Sequence, residues 1–315
     1  MKSFTIAFIS FIILSCGHDA SKSGQDTATY GTAKIASDES FQNLVDAELM
    51  VFHAQYTSAD LKVIYKPEEE AFLDFFKDSV RLIVTSKRLA PADSESLVKS
   101  KIIPKTLKIA TDGVALVVNN SNPDSMLTMK QLKQIFDGSI THWKDLGKRS
   151  LNEKIQIIFD NNNSSNLRFV RNAFELNTIS SNIYVAGSNK KVVEYVSQNK
   201  NTIGVIGSNW ISDTDDSTSK SFLKSVKVVA ISSLDIPTSA NDYYQPYQAY
   251  VATGDYPLSR NVYIISRETR TGLGTGFTAF CASEIGQRII LKMGLVPATA
   301  PVRIIKTKNK PLSEL

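Results

Sequence analysis

Two periodicities alternate along most of this chain. Residues 32–36, 61–65, 80–84, 105–109 and 113–118 are short runs of apolar or alternating character, and each predicts a strand. Between the first two, Phe41, Leu44, Val45, Leu49 and Phe52 recur at the spacing of one helix face. Residues 68–76 predict a helix whose acidic first turn suits the helix dipole, and Pro91 opens another. Thr128 starts a helix running through Phe136, with Gln131 placed for a capping box. Residues 154–159 form an apolar strand that runs into the Asn-rich stretch 160–166. A helix follows, carrying Leu167, Val170 and Phe174 on one face. Ser188 opens a helix with Val192, Val193 and Val196. Residues 203–206, 226–231 and 262–265 predict further strands. Ser283 caps a last helix ended by Gly294, and residues 302–305 return as a strand. Residues 213–221 are polar and read as an exposed loop, and 235–247, with Pro237 and Pro246, as an irregular segment. Strands and helices thus alternate, which predicts an α/β architecture with mostly parallel sheets and no fixed-period repeat.

Composition narrows the class. The 315 residues are 42% hydrophobic and 21% charged, which fits one large folded unit or two domains and excludes wholesale disorder. The net charge of +5 is mild, and no dense basic patch interleaves with aromatics, so nucleic acid is not an expected partner. At the N-terminus, Lys2 precedes an apolar run, 4–14, shorter than the ~20 residues a membrane-spanning helix needs. It fits the hydrophobic region of a signal peptide. Ile13, Leu14, Ser15, Cys16 and Gly17 resemble a bacterial lipobox, in which the cysteine is lipidated and becomes the first residue; the alternative is an ordinary signal peptide that contains a cysteine. Residues 17–31 are rich in Ser, Gly, Asp, Ala and Thr and predict a flexible tether. The expected folded body therefore sits outside the cytoplasmic membrane, on the periplasmic side, anchored by a lipid on Cys16. The one other cysteine, Cys281, lies in an apolar helical run and reads as a buried small hydrophobe.

Catalytic chemistry finds little support. The three histidines are His18, His53 and His142, and none joins a zinc-protease, nucleophile-elbow or Cys–His pattern. No phosphate-binding Walker loop is present. Asp160, Asn162 and Ser164 echo a calcium loop, but no glycine stands at its sixth position and residue 171 is Arg. The expectation is no enzyme, no cofactor and no metal.

Several segments carry a resemblance when taken in order. They are Thr111 to Asn119; Leu127-Thr128, Gln131-Leu132, Ile135 to Gly138 and Ile140 to Trp143; Asn201 to Gly207; Tyr256 to Arg260; and Gly286-Gln287 through Pro297. This set resembles the PstS-like phosphate-binding proteins of bacterial ABC importers, in the type 2 periplasmic-binding-protein superfamily. The resemblance implies two α/β lobes joined by two crossover strands, with a ligand cleft between them. The lobes would be 31–117 plus 236–315, and 118–235, after a signal peptide, 1–16, and the tether. It also implies a monomeric receptor that closes on phosphate or a related small oxyanion and passes it to an ABC permease, held at the membrane by its lipid. The alternative is a non-transport lipoprotein, a sensor or adhesion protein, that reuses the fold with an altered ligand.

A tetrahedral oxyanion needs converging donors, which helix N-termini and hydroxyls supply. By resemblance the ligand junctions are Ser40 and Phe41, then Thr85 and Ser86, then Ser164, Ser165 and Asn166. Three departures stand out. Asp160 occupies about the place of the family's arginine, Ser86 that of an aspartate, and Pro67 with Glu68, Glu69 and Glu70 that of a Ser-Gly pair. Arg88 and Arg168 are candidate replacement cations. Phosphate held by a rearranged arginine, another small anion or polar metabolite, and a cleft that has lost its ligand all stay open. Ser164 to Asn166 would equally serve as a plain helix cap, and the two arginines as surface ion-pair partners. Asp160 must pair with a cation, point away, or meet a donor on the ligand.

Overall fold

The structure is a computed structural model that describes residues 26–147, 150–178, 180–212 and 217–303. Cys16, the signal peptide and the tether up to residue 25 lie outside the described residues, as do 304 and 305 of the expected last strand.

Along the chain run β1 (Gly31–Asp38), α1 (Gln42–Gln55), β2 (Ala59–Lys66), α2 (Glu68–Phe76), β3 (Leu82–Thr85), α3 (Pro91–Lys99) and β4 (Lys105–Asn119). Then come β5 (Met126–Thr128), α4 (Met129–Asp137), β6 (Gln156–Phe159), α5 (Ser165–Ala173), β7 (Ile183–Val185), α6 (Asn189–Gln198) and β8 (Thr202–Gly207). The rest is α7 (Ser217–Ser225), β9 (Val226–Val228), β10 (Ala230–Ser232), α8 (Gln248–Thr253), β11 (Ser259–Ser266), α9 (Leu273–Ala282), α10 (Glu284–Lys292) and β12 (Val296–Pro297).

One curled sheet in the order β2-β1-β3-β11-β4-β8-β6-β7 joins two lobes, and β5 pairs with β10 beside it. Within each lobe the pairings are parallel: β1 with β2 and β3, and β6 with β7 and β8. Along β4 and β11 they are antiparallel. The expectation of mostly parallel sheets therefore holds inside the lobes and gives way at the crossing, because a chain that crosses between lobes and returns must run in opposite directions. β4 is the crossing itself. Its first part pairs with β11 through Gly113, and Val114 onward pairs with β8.

Helices cover both faces of each lobe. In the first, Leu44, Phe52, Phe277 and Ile290 pack on one face, and Phe72, Phe75 and Leu97 on the other. Phe52 meets Phe277 and Phe280 edge-on at centroid distances of 5.5 and 5.4 Å, pairs worth about 0.5–1.5 kcal/mol each beyond burial. In the second lobe, Leu132, Phe136, Trp143 and Phe159 form one face, and Val192, Val196, Trp210 and Phe222 the other.

Three expectations need correction. Residues 236–258, assigned to the first lobe, send Val251, Tyr256 and Leu258 into the second lobe's cluster, so the return crossing starts at β11. The polar stretch 213–221, read as a loop, contains the start of α7. The described end of the expected tether is docked: Asp26 accepts from the Leu273 amide at 2.7 Å and pairs with Arg270. Among the described residues no helix is long and apolar enough to cross a membrane.

Candidate functional site

The strand ends of the two lobes face each other. In the first lobe, β1 ends in Asp38, whose Oδ1 accepts from the Ser40 amide at 3.2 Å and so starts the turn that carries Glu39, Ser40 and Phe41. β2 leads through Pro67 to Glu68, the first residue of α2, and β3 ends at Thr85. In the second lobe, β6 runs into Asp160, and Ser164 caps α5 by accepting from the Leu167 amide at 3.3 Å. This is the crevice outside the carboxyl ends of the strands where α/β folds place their ligands.

Three groups of contacts cross the cleft. In the first, the fully buried Glu68 carboxylate is held by donors from both lobes. Oε1 accepts from the Thr85 hydroxyl at 2.7 Å, from the Ser86 amide and hydroxyl at 3.1 Å each, and from Arg168 Nη2 at 3.1 Å. Arg168 Nε pairs with Oε2, and Nη2 also reaches the Ser86 hydroxyl at 2.8 Å. The second group centres on Arg260 of β11. Its Nε and Nη2 lie 3.2 and 3.0 Å from Asp112 Oδ2 and its Nη1 lies 2.9 Å from Ser165 Oγ. Its guanidinium lies 4.7 Å from the centre of the Phe41 ring. Ser165 Oγ is 3.3 Å from Ser40 Oγ, and the Ser40 carbonyl accepts from Asn209 and from the Trp210 indole at 2.8 and 3.1 Å. In the third group, Asn166 donates to Asp160 at 3.2 Å and to Asn189 at 3.1 Å. Asn189 opens α6 and gives its backbone amide and its side chain to Glu39 of the other lobe.

The floor is acid-rich, and its protonation follows from burial. Burial pushes Asp38 up to about 8, helped by the charges of Glu68 and Asp160 and opposed by Arg260. Glu39 rises to about 7 through burial and the charge of Asp160, against its hydrogen bonds from Asn189. Asp160 is raised by burial, and hydrogen bonds from Ser164 and Asn166 only partly offset it. Glu68 goes the other way. Burial alone would raise it, but hydrogen bonds and charge from Arg168, with Thr85, hold it below the usual range as an anion. Asp38 Oδ2, Asn166 Oδ1 and Asn209 Oδ1 are buried oxygens with no donor.

Most of the residues expected from the sequence come together here. Ser40, Phe41, Thr85, Ser86, Asp160, Ser164, Ser165, Asn166 and Arg168 all lie in these groups or directly on them. Arg88 does not: it is exposed, with its guanidinium 5.4 Å from the centre of the Tyr263 ring, because the chain after β3 turns it away from the cleft. Asp160 neither pairs with a cation nor points away; it is buried and amide-bonded. Arg260, Asp112, Asp38, Glu39, Asn189 and Asn209 were not among the expected site residues. Arg260 had a sequence signal, in the Tyr256 to Arg260 segment, but that segment reads as a positioning element. Glu68 shows in sequence as an acid at a helix start and as one of the departures at the ligand junctions, without its partner in the other lobe.

The PBP superfamily domain matches residues 22–284. The phosphate-binding protein PstS of Bacillus subtilis is 25% identical over 307 residues, 93% of this chain and 92% of that protein. The phosphate-binding protein PstS 2 of Streptococcus agalactiae is 27% identical over 158 residues, 47% of this chain and 52% of the relative, so that match spans about half the relative's length. A phosphate ABC transporter substrate-binding protein of Clostridium perfringens, solved with bound phosphate, superposes with a TM-score of 0.72 at 20% identity, covering 85% of this chain and all of that one.

Proposed function

The chain is a PstS-like member of the PBP superfamily, and from that premise we propose that it is an extracytoplasmic receptor for a small oxyanion, with phosphate the first ligand to test. In this reading the lobes close over the anion and present it to an ABC importer, and a lipid on Cys16 keeps the receptor at the membrane, where its effective concentration is high. One observation carries the reading. Donors from both lobes, the Thr85 and Ser86 hydroxyls, the Ser86 amide and the Arg168 guanidinium, converge on a single oxyanion, the Glu68 carboxylate. A set of donors that holds a carboxylate suits a phosphate by the same charge-assisted hydrogen bonding. The donorless amide oxygens of Asn166 and Asn209 add a preference for an anion that still carries protons, which phosphate does and sulfate does not. A second reading, a non-transport lipoprotein with an altered ligand, draws on the acid-rich floor.

The test is calorimetric titration of the full chain with orthophosphate, sulfate and a panel of small metabolites. Closure is followed by the fluorescence of Trp210, whose indole bonds to Ser40 across the cleft. Heat and a Trp210 response with phosphate but not with sulfate are expected. Heat only with another ligand would discard phosphate and keep the receptor. Silence across the panel would remove both.

A further inference from the structure

We infer that Glu68 is a built-in anion: its carboxylate fills the cleft's oxyanion donors and latches the two lobes, so an external oxyanion binds by displacing it. This rests on the receptor reading above and sets the threshold at which that receptor responds.

Position makes the case first. Glu68, Glu69 and Glu70 all sit in the first turn of α2, where the helix dipole favours acids equally. Glu69 and Glu70 are exposed, whereas Glu68 is fully buried. A helix start needs no buried acid, and burying a carboxylate is costly unless it is paired and hydrogen-bonded. Glu68 is both. The Thr85 hydroxyl, the Ser86 amide and hydroxyl, and Arg168 Nη2 all bond to Oε1, and Arg168 Nε pairs with Oε2. The first three donors belong to the first lobe and Arg168 to the second, so the carboxylate bridges the cleft as a guest anion would.

The neighbouring contacts point the same way. Glu39 reaches from the first lobe to the amide and side chain of Asn189 at the start of α6. The Glu69 amide donates to the Asn163 carbonyl across the lobes at 3.3 Å. An anion approaching from outside meets a groove where Arg168 and Arg171 stand beside Asn162 and Asn163, with Glu69 and Glu175 also on its wall, and there Arg168 keeps part of its surface exposed. Exchange then follows simply: the guest takes over Arg168, Thr85 and Ser86, and Glu68 swings toward solvent. Two anions cannot share those donors, because like charges a few ångströms apart repel.

The experiment uses the full chain and its Glu68→Ser variant, which replaces an acceptor with a small hydroxyl. Glu70→Ser serves as the exposed control. Lobe closure is read without added anion, as the radius of gyration from small-angle scattering and as Trp210 emission. Orthophosphate affinity is read by calorimetry. Glu68→Ser is expected to open the cleft, with a larger radius and a red-shifted Trp210, and to bind orthophosphate at least tenfold more tightly than the parent chain; Glu70→Ser is expected to match the parent. An unchanged radius and emission in Glu68→Ser overturns the latch. If neither chain binds orthophosphate, the phosphate reading falls, and the scattering arm still decides the latch. Should Glu68→Ser fail to fold by circular dichroism, Glu68→Gln, which keeps the shape and loses the charge, is judged by the same two readouts.

Discussion

Replacing Arg260 by Met should cost this fold several kcal/mol, and the size of that loss can be worked from its surroundings. Arg260 is 5% exposed and Asp112 fully buried, and their closest atoms are 3.0 Å apart. At an effective dielectric of ~20, two unit charges at that distance attract by about 5.5 kcal/mol. Much or all of this is offset by the desolvation of both groups, so the intact pair adds little net stability. Removing one side is different. Asp112 would stay buried with only the Ser208 hydroxyl, 2.8 Å away, as a side-chain donor. One-sided loss of a buried pair costs about 3–5 kcal/mol. The lost contact with the Phe41 ring adds about 0.5–2 kcal/mol, and the apolar stem of Met recovers part of it.

The assay is urea unfolding of the parent, Arg260→Met, Asp112→Asn and the double variant, followed by circular dichroism. The double variant should be less destabilised than the sum of the singles, since no uncompensated charge remains. Arg288→Met, which breaks the exposed pair with Glu284, is the surface control, expected to lose at most about 1 kcal/mol. A loss below about 1 kcal/mol for Arg260→Met, or strict additivity in the cycle, would refute the claim that this ion pair joins the two crossover strands β4 and β11.

Two further outcomes are expected. Glu48, buried against Cys281 in the first lobe, is pushed up to about 8 by burial, so the folded state holds its proton while the unfolded chain releases it near the usual carboxylate pH. Its contribution is therefore complete below pH ~4.5 and is lost as pH rises through about 8. Glu48→Gln should flatten the fall in unfolding free energy across that window by up to about 1.4 kcal/mol per pH unit, and identical slopes in the two chains would contradict the burial argument. Ser164→Ala removes the α5 cap and should cost about 1 kcal/mol in a denaturant series. Phosphate affinity within twofold of the parent would then mark Ser164 as a cap alone.

What the sequence made legible was chemistry that acts over a few residues. Thr128, Ser188 and Ser283 were readable as caps because each accepts from an amide two or three residues into its own helix. Features decided at long range were not. β4 reads as two strands, 105–109 and 113–118. It runs unbroken because Arg260, 148 residues away, neutralises Asp112. The first half of α7 falls in the stretch 213–221, read as a loop from its Ser, Thr and Asp content, yet it is helical: Phe222 joins the cluster of Trp210 and Val226, and Ser219 donates to the Trp210 carbonyl. Glu68 is the same case within the site. Its helical position was plain, while its partner in the other lobe lies 100 residues on.

The departures at the ligand junctions then acquire an order. The resemblance places an aspartate at 86 in the first lobe and an arginine at 160 in the second. This chain has a serine at 86 and an aspartate at 160. Yet the first lobe still contributes the anion, from Glu68, and the second still contributes the cation, from Arg168 one turn into α5. The polarity of the contact across the cleft is kept while both partners have moved. What has no counterpart is Asp160, whose pKa is raised by burial and whose carboxyl group takes hydrogen bonds from Asn166 and Asn189. An acid of one lobe still faces a base of the other across the cleft, from different positions in the sequence. That latitude fits an architecture that persists at 20–27% identity to its relatives while the residues at these junctions change.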